Sequence, residues 1–216
     1  MSNNYDKQVQ IARELFVQYE SSVMIEKFHL QADKEFLYLP LLHQISRISR
    51  TDGRIALRPA ASGEEWQECL DYNTVMTIYD VLCYAKQLPV LSHQWVPLSD
   101  LQVTMSSPNA DIFTRKFAAA FSGQTSALLD ICRQIGGRPI EILAGADFGW
   151  EFDLFPFFPI QLRFWEQDDE FPPQIRLLWD KNTLSFMHFE TVYYAMHILL
   201  ETLLAKLQSS SQTNEQ

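Results

Sequence analysis

The segment from Ile160 to Trp179 constrains the fold most. Ile160, Leu162 and Phe164 alternate with Gln161, Arg163 and Trp165, while Ile175, Leu177 and Trp179 alternate with Gln174, Arg176 and Leu178. A period of two sends successive side chains to opposite faces of a strand, so each run carries one apolar face and one mainly polar face. The stretch from Glu166 to Pro173 is acidic and ends in two prolines, which continue neither strand. It therefore reads as the tip of an antiparallel hairpin. A hairpin with one apolar face needs other elements to cover that face.

Helical periodicity supplies the cover. Val9, Ala12, Leu15, Phe16 and Tyr19 recur at helical spacing within about Tyr5 to Glu26 and predict an amphipathic helix. Short β-like runs follow from Glu35 to Pro59, with Asp52-Gly53 as a turn pair before Arg54 to Leu57. Ala61 to Glu65 predicts the entry to a second helix, whose face is marked by Leu70, Val75, Ile78, Tyr79, Leu82 and Ala85. His93 to Leu101 is too rich in proline for regular structure and is expected to pack over the core through Trp95. Helices are predicted at about Asp111 to Phe121 and Thr125 to Ile135, the second ended by Gly136-Gly137, residues able to take positive φ. Phe189, Val192, Met196, Leu199, Leu203 and Leu207 trace a last helix. The resulting expectation is an α+β fold, a mainly antiparallel sheet with helices packed on one side, in a single domain over residues 1–207. The polar tail 208–216 is expected to be disordered.

A chain of 216 residues that is 47% apolar can bury one core of ordinary size. Its net charge of −10 argues against tracking of nucleic-acid phosphates or of an anionic membrane surface, both of which need gathered Lys and Arg. The first residues carry no signal-peptide pattern, and the apolar runs are shorter than a membrane span. A soluble cytoplasmic protein is expected. Cys69, Cys83 and Cys132 form no Cys-x-x-Cys pair and read as reduced, mostly buried thiols.

Four groups of residues carry the chemistry worth weighing. Glu166, Asp168, Asp169 and Glu170 offer hard oxygen ligands, but their spacing matches no calcium loop, and a solvated hairpin tip is the preferred reading over a cation or partner contact. His188 lies near Glu190 and downstream of Asp180, where it is either a general base or ligand, or a structural residue beside an ordinary turn. His197 and His29 are embedded in apolar patterns and read as packing residues. The aromatic run Phe148 to Pro159, with Trp150, Asp153 and Phe157, either fills the core or lines a cleft at an irregular sheet border. Arg163, on the polar side of its strand, is either a surface residue or the holder of an anionic group. No Gly-x-Ser-x-Gly elbow, P-loop, dinucleotide fingerprint or cysteine-protease word occurs.

Gly136-Gly137-Arg138-Pro139, the stretch Trp165 to Pro173, Leu178-Trp179-Asp180-Lys181-Asn182 and Met187-His188-Phe189-Glu190-Thr191 together resemble the bacterial and archaeal family catalogued as domain of unknown function 3786. Thr77 to Leu82 and Trp95 to Leu101 are weaker matches. The resemblance runs from about Tyr19 to Leu207 and implies a prokaryotic, often anaerobic setting. It implies no catalytic residue and no cofactor. Relatives with an added iron–sulfur domain look similar to corrinoid-associated proteins, and the three dispersed cysteines of this sequence lead to the expectation that no such domain is present. Two expectations follow. The preferred one is a non-catalytic module binding a small ligand or a protein partner through aromatics including Trp95, Trp150, Phe157 and Trp165, with Asp153, Arg163, Asp180 and His188 as polar contacts. The other is a metal- or cofactor-dependent enzyme using Asp153, Asp168, Asp180 or His188. No metal is assigned, the cofactor is unknown, and the oligomeric state is open.

Overall fold

The computed structural model describes residues 4–101, 110–142 and 145–213. It is an α+β protein with two antiparallel sheets. The chain gathers into two compact units, the first made of Met1–Val90, Phe155–Phe157 and Leu184–Ala195, the second of Leu91–Leu154, Phe158–Thr183 and Met196–Gln216.

In the first unit, β1 (Gln31–Ala32), β2 (Phe36–Leu41), β3 (Gln44–Ser49), β4 (Ile55–Pro59) and β5 (Gln67–Glu68) form a meander in sequence order. Leu37, Leu39, Leu41 and Ile48 are buried, whereas Phe36, Tyr38 and Arg47 are only partly covered, as strand alternation requires. Gly53 takes φ +74° in the β3–β4 turn, and a Cβ there would lie 2.9 Å from Arg13 Cγ. The segment predicted as one N-terminal helix is two, α1 (Asn4–Phe16) and α2 (Ser21–Phe28), separated by a turn. α3 (Tyr72–Tyr84) starts later than Ala61 to Glu65 suggests, because the Asp71 carboxylate caps it by accepting the Thr74 N–H at 2.8 Å. Leu70 accordingly lies outside the helix and is 85% exposed. α1 packs on α3 through Phe16 and Tyr79, whose hydroxyl donates to the Gly53 carbonyl at 2.7 Å.

The second sheet runs in the order β6 (Trp95–Pro97), β10 (Gln174–Asp180), β9 (Phe158–Trp165), β8 (Phe148–Phe155), β7 (Arg138–Pro139). The β9–β10 hairpin has the expected register, with Arg163 opposite Arg176 and Ile160 opposite Trp179. Two segments are more regular than their sequences suggest. Trp95 to Pro97 pairs with β10 as an edge strand, where a proline is tolerated. The aromatic run forms β8 and the start of β9, with Pro156 and Phe157 in the turn between them. α4 (Ala110–Phe121) packs on β10 and buries Phe117 and Phe121. α5 (Thr125–Gln134) ends at Gly136, which has φ +84°. The last helix, α6 (Phe189–Thr213), continues beyond Leu207 into the polar tail, and residues 214–216 lie outside the described residues. No helix among the described residues is long and apolar enough to cross a membrane.

Gly137 answers a different need from Gly136: a Cβ there would meet Phe152 Cε1 at 2.5 Å and the Cys132 carbonyl oxygen at 2.8 Å. Gly137→Ala is expected to destabilise the fold by about 1–3 kcal/mol through overpacking. Gly63→Ala, where nothing lies within 4 Å, should leave stability near its original value. Urea unfolding of the two variants checks the contrast.

Candidate functional site

Asp80 is the only charged residue of α3. Its side chain is 15% exposed, and it meets His188, which directly precedes α6. Asp80 Oδ2 accepts the His188 backbone N–H at 2.8 Å, and Asp80 Oδ1 lies 2.5 Å from His188 Nδ1. An ionised carboxylate can only accept, so Nδ1 carries the proton of this hydrogen bond. In the neutral imidazole, Nε2 is then a bare lone pair. The Tyr84 ring supports the imidazole, with centroids 3.4 Å apart and planes inclined by 32°. The His188 carbonyl accepts the Thr191 N–H at 3.0 Å, which tightens the first turn of α6. Held by Asp80 and Tyr84, the His188 side chain is still 58% exposed.

The imidazole borders an open hollow of about 350 Å³. Gln8, Ile11, Ala12 and Leu15 of α1 form one wall, and Tyr72 and Met76 of α3 form another. Glu190, Thr191 and Tyr194 of α6 complete it. Tyr194 donates to Glu190 at 2.8 Å, and Tyr72 donates to Gln8 at 2.5 Å, with the two rings edge to face at 5.4 Å. Burial, and then hydrogen bonding to Tyr72 and Glu190, raises the Tyr194 phenol well above its ordinary range, so it remains protonated. Ile11 and Leu15 are 57% and 50% exposed, which gives the hollow an apolar rim beside its polar floor.

The other residues singled out from the sequence occupy separate places. Asp180 is 1% exposed and accepts hydrogen bonds from Ser92 N, Ser92 Oγ, His93 N and Asn182 N at 2.7–2.9 Å. Its carboxylate thus organises the chain around His93, whose φ is 56°. Trp95 stands opposite Asp180 on β6, at one end of β10, and Trp165 stands opposite Gln174 at the other. Trp150 is buried, with the Arg133 guanidinium 5.8 Å from its ring. Phe157 belongs to the first unit, stacked on Phe28 at 4.1 Å and near Phe155 and Phe186. Within the second sheet, Trp95, Trp150 and Trp165 stand on three different strands, β6, β8 and β9. Asp153 pairs with Arg138, which also reaches Glu151, and those contacts, Asp153 first, raise the guanidinium pKa further. Arg163 has a buried Nε with no hydrogen-bond partner among the described residues.

In the acidic tip, Glu166 accepts from Ser122 Oγ, Gly123 N, Thr125 Oγ1 and Gln167 N, and so fastens the hairpin to the α4–α5 turn. Partial burial pushes its carboxyl up, but those hydrogen bonds outweigh burial and hold it below its ordinary value. Asp168 accepts from Glu170 N and Phe171 N in a local turn. Among the described residues, no group of three or more His, Cys, Asp or Glu side chains is arranged to hold a metal ion. Burial pushes Cys69 up to about 11 and Cys83 and Cys132 up to about 12, which suits inert thiols.

His188 was visible in the sequence, but Asp80, its partner 108 residues away, was not among the candidates. Its signal was present: a lone acid inside the otherwise uncharged helix Tyr72–Tyr84. The fold and this site define an α+β protein with two antiparallel sheets and an exposed, carboxylate-held histidine beside a hollow. The chain belongs to the family described as a domain of unknown function (DUF3786), whose family model matches residues 21–202. Asp80 and His188 fall inside that match, whereas the α1 wall of the hollow lies outside it. Neither the curated proteins nor the solved structures yield a match.

Asp80→Asn removes the charge from two hydrogen bonds and is expected to cost about 1–3 kcal/mol of stability. In long-range ¹H–¹⁵N spectra, neutral His188 should be protonated at Nδ1 in the original protein and should show mixed tautomers in this variant.

Proposed function

We propose that this protein binds a small polar molecule in the hollow beside His188, with Nε2 accepting a hydrogen bond or proton from the ligand. The observation that carries this reading is the exposed imidazole whose Nδ1 is held 2.5 Å from Asp80. A side chain fixed in orientation before binding loses little entropy on meeting a ligand. Ile11 and Leu15 favour an apolar portion on that ligand, while the carboxylates of Asp80 and Glu190 disfavour an anion. A neutral or cationic compound fits best. The net charge of −10 supports a small ligand over nucleic acid, and three free cysteines suit a reducing cytoplasm, the setting we assign.

A second reading is acid–base catalysis on the bound molecule. It is favoured by the same pair, because a carboxylate behind Nδ1 stabilises the imidazolium that forms when Nε2 takes a proton. Ligand-observed NMR with a library of anionic, neutral and cationic small molecules tests both. Neutral or cationic hits should weaken about tenfold or more in His188→Ala, the scale of one lost charge-assisted hydrogen bond. His188→Gln should retain part of the binding while abolishing any turnover of a bound compound. Hits that bind both variants as well as the original chain would contradict the assignment.

A further inference from the structure

The outer face of the first sheet carries a second arrangement, independent of His188. Tyr38 and Arg47 are opposite each other in the β2–β3 register, and Arg58 lies on the same face of β4. The Arg47 guanidinium is 4.7 Å from the Phe36 ring centroid and 4.7 Å from that of Trp66. Arg58 is 4.5 Å from the Trp66 centroid. The side chains therefore alternate Phe36, Arg47, Trp66, Arg58 across the strands. Stacking on a ring occupies the flat face of a guanidinium and leaves its N–H edge free for in-plane hydrogen bonds, the geometry that fits the oxygens of a phosphate or carboxylate.

Among the described residues, neither guanidinium of this pair meets a counter-charge. The chain has 27 acidic residues against 17 basic ones, and Arg54, Arg133 and Arg138 each meet a carboxylate. Among the described residues, Arg47 and Arg58 form no ion pair, and the buried Nε of Arg58 has no hydrogen-bond partner. Glu68 shares the face from β5 without pairing with either. The Asp33 carboxylate is engaged by the Tyr38 hydroxyl at 2.7 Å and by the N–H groups of Glu35 and Phe36. Two cations held over one indole are costly unless an anion joins them.

We propose that Arg47 and Arg58, stacked on Trp66, form a binding site for a small dianionic oxyanion of the phosphate type, either free or carried as a monoester. Each guanidinium edge takes oxygens of the anion. For a monoester, the partly exposed Phe36 and Tyr38 rings provide a surface for its organic part.

Arginine Nε–Hε resonances of the full chain, followed in ¹⁵N spectra, test this with inorganic phosphate and phenyl phosphate as probes. The expected result is saturable shifts of Arg47 and Arg58, with affinity reduced about tenfold or more in Arg47→Gln and in Arg58→Gln. Tighter binding of phenyl phosphate marks a monoester site, and equal binding marks a site for the free ion. Arg47→Lys and Arg58→Lys keep the charge but lose the stacked fork, so a comparable loss in these variants supports the geometry. Circular dichroism shows which variants are folded, and only those are compared. No saturable shift, shifts reproduced by sodium chloride at matched ionic strength, or undiminished binding in the folded variants would overturn the proposal.

Discussion

One carboxylate, that of Asp80, decides what His188 can do. By accepting both the backbone N–H that precedes α6 and the proton on Nδ1, it fixes where the last helix begins and which imidazole nitrogen faces outward. Hydrogen bonds to a charged group are worth more than neutral ones, and a pair converging on one residue restrains it in position and orientation. The open hollow follows from this anchorage, because the first turn of α6 carries Glu190, Thr191 and Tyr194 to its edge. Without Asp80, the Tyr84 ring alone would support the imidazole.

The other conspicuous acids mostly serve the fold. Asp180 gathers three donors from Ser92 and His93 and a fourth from Asn182, and Glu166 gathers three at the α4–α5 turn and a fourth from Gln167. A buried or half-buried carboxylate surrounded by N–H and O–H donors stabilises irregular backbone that has no ladder of its own. These two carboxylates are thereby committed to loops.

Where one periodicity dominated, the fold was legible in the sequence. The Ile160 to Trp179 hairpin was readable because alternation of period two survives through both strands, and Gly136 was readable because a helix end needed positive φ. The break between α1 and α2 was not, since no glycine or proline marks Val17 to Glu20. The run Phe148 to Pro159 looked irregular because of its prolines and Gly149, yet Gly149 lies where a Cβ would meet Ile140 Cγ1 at 2.9 Å and Pro156 sits in the turn. In the candidate site, His188 was legible and its partner was not. A pairing between residues 108 positions apart is a product of packing, and no local pattern encodes it.

The central claim, that the hollow beside His188 holds a small molecule, is tested most directly by native mass spectrometry of the protein purified gently from cells, alongside its His188→Ala variant. The account predicts a retained neutral or cationic compound on the original chain that is missing from a folded variant. A bare polypeptide mass in both, or the same compound bound equally to both, would contradict it.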